Sequence, residues 1–196
     1  MTPHPHTRYR RYWFPKHYAD EVQRLRVPLG FVMVAIFAWR ADPQSWSLIA
    51  GGGIAAIGLL LRAWAAGHLA KNQILATTGP FGHVRNPLYI GTLTVAMGVA
   101  LAAREVWLAI LFAAAFVFVY LPAVELEEQH LRALFSDYAD YAEEVPMLAP
   151  RWKTAYGGGR FRWALWARNQ EYQALLGLSA GFAYLAWRAG VLAAPW

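Results

Sequence analysis

The chain has 196 residues, of which 58% are hydrophobic and only 15% charged, with ten tryptophans among them. That balance excludes an ordinary soluble domain and points to a lipid environment. The formal net charge of +6 would suit nucleic acid, but the basic residues stand beside apolar segments, where the positive-inside rule accounts for them.

In chain order, a basic and aromatic arm with Arg8, Arg10, Arg11, Lys16, Arg24 and Arg26 precedes an apolar run that opens at Val27. No small-residue cleavage site follows it, so it reads as a retained anchor. Further apolar runs cover residues 46–66, 88–103, 106–124 and 174–192, each near the ~20 residues that a helix needs to cross hydrocarbon. The pattern predicts an all-α, polytopic integral membrane bundle with about five transmembrane helices. With no linker dividing it, residues 1–196 form a single membrane-embedded domain. The Gly51-Gly52-Gly53 run inside the second apolar stretch reads as close helix packing, and Gly177 and Gly181 form a similar pair in the last one.

The arm, residues 68–87 and residues 125–172 hold most of the arginine and lysine, whereas the intervening turns offer only Arg40 and Arg104. The amino terminus is therefore expected on the cytoplasmic side, in a membrane of bacterial inner-membrane type. Five spans then put the carboxyl terminus outside and both long polar segments on one surface, where a shared site is to be sought.

The first informative segment runs from Thr77 through Gly79-Pro80-Phe81 and Arg85-Asn86-Pro87 to Tyr89 and Gly91. Gly79-Pro80 breaks a helix, while Pro87 suits the first turn of a new one and biases Asn86 away from the α region. Unpaired amides at that helix start, with Arg85, make a seat for a carboxylate or phosphate, although an interfacial turn anchored by Arg85 and Tyr89 fits the pattern too. The second segment follows the fourth run. Val124, Leu131, Leu134, Phe135, Tyr138 and Val145 form an apolar stripe, as on a cytoplasmic interfacial helix, and Glu127 and Glu128 fall within it. A carboxylate on an apolar face calls for a cation, either a basic side chain such as Arg85 or Arg132 or a positively charged ligand.

Together, Gly79-Pro80-Phe81, Arg85-Asn86-Pro87-Leu88-Tyr89-Ile90-Gly91, Glu127-Glu128, Tyr138, Tyr141 and Val145-Pro146 resemble the isoprenylcysteine carboxyl methyltransferase and phospholipid methyltransferase superfamily, over about residues 60–150. Asn86 stands where that superfamily usually has histidine, and Ser136 where it usually has glycine. The resemblance implies transfer of a methyl group from S-adenosylmethionine to a membrane-resident, lipid-like acceptor, an isoprenylcysteine-type carboxylate or a phospholipid amine, that enters from the bilayer. It assigns catalysis to Arg85, Glu127 and Glu128. Cofactor binding falls to His68, Lys71, Gln73, Gly79, Pro80, Arg85, Asn86, Pro87, Tyr89, Glu127 and Glu128, with Asn72 beside them. The cofactor's ammonium, carboxylate and sulfonium match glutamates set against Arg85 and helix-start amides. The absence of cysteine fits, because methyl transfer needs alignment and dryness more than a protein nucleophile.

An amine acceptor must first lose a proton, for which His83 and His130 are the candidates. His4, His6 and His17 lack metal-site context, so no metal is expected. The run Arg168-Asn169-Gln170-Glu171-Tyr172 reads as a solvated approach to the last helix, with lipid-headgroup contact as the functional alternative. Two other classes stay open: a membrane reductase using a nicotinamide cofactor, and a non-enzymatic scaffold or small transporter. The pattern leaves the oligomeric state open.

Overall fold

The computed structural model describes residues 14–152 and 156–191. Arg8, Arg10, Arg11, His4 and His6 lie outside them. Among the described residues the fold is all-α, with eight α-helices and no strand. They are α1 (Lys16–Arg40), α2 (Ser45–Ala66), α3 (Pro87–Ala103), α4 (Val106–Ala115), α5 (Leu121–Leu134), α6 (Tyr138–Glu144), α7 (Trp163–Arg168) and α8 (Glu171–Arg188).

Two helices are long and apolar enough to cross a membrane: Ser45–Ala66, and Val106–Leu134, which joins α4 to α5. Only 22% of each apolar window is buried within the protein, unlike the core helix of a soluble domain. Phe31, Ile49, Leu60 and Val106 are all at least 70% exposed. A belt of bare apolar side chains on this scale needs lipid around it. Length and apolarity do not bear out the expected five spans. The stretch Pro28–Arg40 of α1 and the helix Pro87–Ala103 are shorter, and α8 carries Glu171, Gln173, Ser179 and Arg188 within its 18 residues. The element boundaries also move, since α1 begins well before Val27 and α8 before Ala174.

The centre of the bundle is the antiparallel pair α2 and α3, and glycine makes their approach possible. A Cβ on Gly58 would stand 2.7 Å from the Gly91 carbonyl oxygen and 2.7 Å from the Val95 nitrogen, and one on Gly98 would stand 2.6 Å from the Gly51 oxygen. These are backbone atoms that cannot swing aside. Of the three consecutive glycines only Gly51 serves this packing, because Gly52 meets Phe182 at an ordinary 3.4 Å and Gly53 meets nothing within 4 Å. A methyl group on Gly177 or Gly181 would likewise meet no atom within 4 Å, so the expected packing pair in the last helix is not formed. Accordingly, Gly58→Ala is expected to lower stability by about 1–3 kcal/mol through overpacking. Gly53→Ala should be neutral or stabilising by up to about 1 kcal/mol through helix propensity. Thermal unfolding in one detergent compares the two, and equal effects would contradict the packing account.

Between α4 and α5 the helix passes through a π-helical turn, Phe116–Tyr120, which ends two residues before Pro122. Proline has no N–H to donate to the carbonyl four residues back, that of Phe118. The Tyr18 hydroxyl supplies a donor to that carbonyl at 2.8 Å, tying α1 to the distorted turn. The stripe read from Val124 to Val145 is not one helix. Phe135 is extended (φ −124°, ψ 120°), so the chain turns before α6 and folds Tyr138, Tyr141 and Val145 into a buried cluster.

At one end of the bundle the short connections are tied by Arg40–Glu105 at 3.5 Å, Arg104–Asp42 at 3.3 Å and Arg188, which donates to the carbonyls of Ala38 and Trp39. The two long polar segments meet at the opposite end. Residues 168–172 dock there too, so the expected solvated approach is corrected. Asn169 donates to the carbonyls of Ala66 and Leu69 at 2.9 Å each, covering the exposed end of α2, and Glu171 is buried.

Candidate active site

The loop between α2 and α3 is shaped by a 3-10 turn, Gly79–Gly82, which Gly79 enters at φ +59°. A side chain there would strike the His68 ring at 2.6 Å, so the turn lies flat on His68. α6 clamps the loop from the other side. The Tyr141 hydroxyl donates to the Phe81 carbonyl at 2.7 Å, and the Arg85 amide donates to the Pro146 carbonyl at 2.9 Å.

Arg85 and Glu128 form the buried tie between loop and α5. Arg85 Nε is 3.0 Å from Glu128 Oε1, and the two side chains are 5% and 10% exposed. Arg85 Nη1 donates to the Ala142 carbonyl at 2.9 Å, and Asn86 Nδ2 lies 3.3 Å from both Glu128 Oε1 and the Met147 oxygen. Arg132, the other cation considered for the glutamates, stands over the Tyr138 ring instead, 5.1 Å from its centre.

Glu127 behaves differently from its neighbour. It is exposed, accepts the Tyr89 hydroxyl at 3.0 Å, and lines two adjoining cavities of about 60 and 630 Å³. Lys71, Asn72 and Tyr89 line both of them as well. Arg85, Asn86 and Pro87 reach only the smaller cavity, together with Tyr138. The Tyr138 hydroxyl is buried and has no hydrogen-bond partner among the described residues. Burial pushes the Tyr138 and Tyr141 hydroxyls far above the ordinary phenol range, so both act as neutral groups.

The other residues expected at the cofactor lie apart from the cavities. Glu128 lines neither cavity. His68 Nδ1 is 3.1 Å from Thr78 Oγ1 and its ring packs edge-on to Phe161, and burial lowers its pKa. The Gln73 carboxamide faces the Arg168 guanidinium, 3.1 Å away. Gly79 and Pro80 are buried in the turn and shape the loop without lining either cavity. Of the two histidines, His130 lines the larger cavity, while His83 Nδ1 lies against the Arg151 carbonyl at 3.0 Å.

Residues 46–138 match the sequence profile of the phospholipid methyltransferase family. That match is consistent with the isoprenylcysteine and phospholipid methyltransferase superfamily, which the motif residues resemble. Over 103 residues, 52% of the chain, it is 30% identical to the cobalt-zinc-cadmium resistance protein CzcN of Cupriavidus metallidurans. Over a stretch of 134 residues, 64% of the chain, it is 30% identical to the nickel-cobalt-cadmium resistance protein NccN of Alcaligenes xylosoxydans xylosoxydans. The chain spans 46% and 62% of the length of these two relatives. No solved structure matches it. The family segment contains α2, the motif loop, α3 and the whole α4–α5 helix, which together carry both cavities' shared polar residues.

Sequence reasoning missed Arg62. Its Nε and Nη2 donate to Glu171 at 3.0 and 2.8 Å, and its Nη1 donates to Thr92 at 2.5 Å. The available signal was a lone arginine inside the second apolar run, which marks a functional candidate by default. Arg62, Thr92 and Tyr120 line the 630 Å³ cavity and also a third, almost wholly apolar one of about 770 Å³. That cavity lies between α1, α3, α4 and α8, and Gly177 and Gly181 form part of its wall.

Proposed function

We propose that the protein transfers a methyl group from S-adenosylmethionine to a lipid-like acceptor. The observation that carries this reading is the pair of cavities, one polar and one apolar, that meet at Arg62, Thr92 and Tyr120 beside the motif loop. A volume of about 630 Å³ lies in the range of small-molecule sites. The donor set suits the cofactor: Lys71 for the carboxylate, Glu127 for the ammonium, Leu69 and Leu131 for apolar parts, and the unpartnered Tyr138 hydroxyl in the adjoining space. When bound, S-adenosylmethionine supplies an electrophilic methyl carbon.

The chain's own residues then bind and orient. Arg85 and Glu128 hold the loop against α5, so the cavity walls are set before a ligand arrives. The apolar cavity takes the acceptor's chain and brings its head to the shared wall. Five antiparallel helices cross the bilayer in this reading, with the amino terminus cytoplasmic. Reporter fusions at both ends test that arrangement, and termini on the same side would refute it.

Calorimetric titration of detergent-purified protein with S-adenosylmethionine and with a reduced nicotinamide separates this reading from the reductase. Binding of the first alone is expected, and binding of the nicotinamide alone would reverse the assignment. Glu127→Gln is expected to weaken S-adenosylmethionine more than tenfold, on the order of 2 kcal/mol for one charge-assisted contact, with the helical circular-dichroism signal unchanged. Unaltered affinity would remove Glu127 from the cofactor site.

A further inference from the structure

Residues 157–168 line none of the three cavities, yet they are built onto the motif loop and turn basic side chains outward. The Gly157 amide donates to the Thr77 carbonyl at 3.1 Å, and the Gly79 amide donates to the Gly158 carbonyl at 2.9 Å. Gly157, Gly158 and Gly159 all have positive φ, which lets this strap lie flat on the loop. A methyl group on Gly82 would stand only 2.5 Å from the Gly157 nitrogen. The strap then reaches the end of α2, where the Arg162 amide donates to the Gly67 carbonyl at 3.0 Å. Gly67 caps the apolar helix Ser45–Ala66, so Arg162 stands at the depth where hydrocarbon gives way to headgroups.

Arg162 is extended (φ −121°, ψ 108°), and neighbours along extended backbone face opposite ways. Phe161 turns its ring edge-on to His68, while Arg160 and Arg162 on either side of it are exposed. Trp163 is 72% exposed, and its ring joins those of Phe161, Trp166 and Tyr172 in a run of edge-to-face contacts, 4.9 to 6.4 Å between centres. From Val145 to Gln170 the chain has five basic residues and no acidic one. The next carboxylate, Glu171, is taken up by Arg62 at 2.8 Å.

We infer that Arg160 and Arg162, with Trp163 as an interfacial anchor, seat the headgroup of an anionic phospholipid at the membrane surface, apart from the acceptor and the cofactor. The charge of the segment selects this occupant. A guanidinium pairs bidentately with phosphate, and an anionic headgroup brings no ammonium of its own to oppose it. The exposed tryptophan beside the arginines has an apolar body for the acyl boundary and an N–H for the headgroup layer. The inference depends on the membrane-embedded fold and not on the methyl-transfer reading.

Titration of the full-length protein in a neutral detergent with brominated phosphatidylglycerol and brominated phosphatidylcholine, read by quenching of tryptophan fluorescence, tests this. A basic side chain at an anionic surface contributes about fivefold, so the anionic lipid is expected to bind at least tenfold tighter. Arg160→Gln with Arg162→Gln should remove most of that preference. Removing two charges at the opposite end of the bundle, with Arg40→Gln and Arg104→Gln, should leave it in place. Equal affinity for the two lipids would overturn the assignment, as would a preference that survives the loss of Arg160 and Arg162 or that falls equally with the opposite pair. Glycerol phosphate at the lipid's concentration is expected not to displace it, and displacement would show a seat for soluble anions instead of a membrane surface. Should the double variant fail to fold, Arg160→Gln alone decides, by a loss of about fivefold.

Discussion

Glu128→Ala is expected to cost about 3–5 kcal/mol of stability. The substitution leaves Arg85, only 5% exposed, as a buried cation without its carboxylate, and it takes from Asn86 one of its two partners. The Ala142 carbonyl remains to Arg85, but one neutral acceptor does not offset a lost charge. Glu127→Ala, one residue earlier and exposed, should change stability by no more than about 0.5 kcal/mol. Denaturant unfolding followed by circular dichroism in one detergent compares the two. Replacing both partners with apolar residues, Arg85→Met with Glu128→Leu, should recover part of the loss, because the burial cost of two charges disappears with them. Equal stability of the two single variants would contradict the division of labour between the adjacent glutamates.

Shortening the acceptor chain by four methylenes is expected to reduce catalytic efficiency about 200-fold. Each methylene transferred from water to an apolar environment contributes about 0.8 kcal/mol, and about 3 kcal/mol in total corresponds to that factor. The arithmetic holds whether the gain is made on entering the bilayer or the 770 Å³ cavity, since both are apolar and the reference is the aqueous acceptor. The cavity itself is tested by narrowing it. Gly181→Leu fills open space in its wall, where no atom stands within 4 Å, and should lower efficiency most for the longest chains. A flat chain-length series would show that the bilayer hosts the protein without delivering its substrate.

The parts of this site that were legible in the sequence are those set by local rules. Gly79-Pro80 and Pro87 fix a turn and a helix start by backbone sterics alone, and the structure places them so. The small-residue packing of α2 was legible from its glycines, although which of the three meets α3 depends on the helix's rotation. The Arg62–Glu171 pair was not legible, because the partners are 109 residues apart and nothing local to either shows that they meet. The break at Phe135 was hidden for another reason. Its flanking apolar residues keep helical spacing across the turn, so periodicity alone could not reveal that the helix ends there. Adjacent Glu127 and Glu128 looked equivalent on a helical wheel, and only the loop packed against α5 tells them apart.

The most direct test supplies purified protein with methyl-labelled S-adenosylmethionine and a total bacterial lipid extract, then follows the label into the organic phase. Time-dependent transfer that falls at least tenfold in Glu127→Gln is expected. An organic phase without label, from protein whose circular dichroism shows it folded, would contradict it.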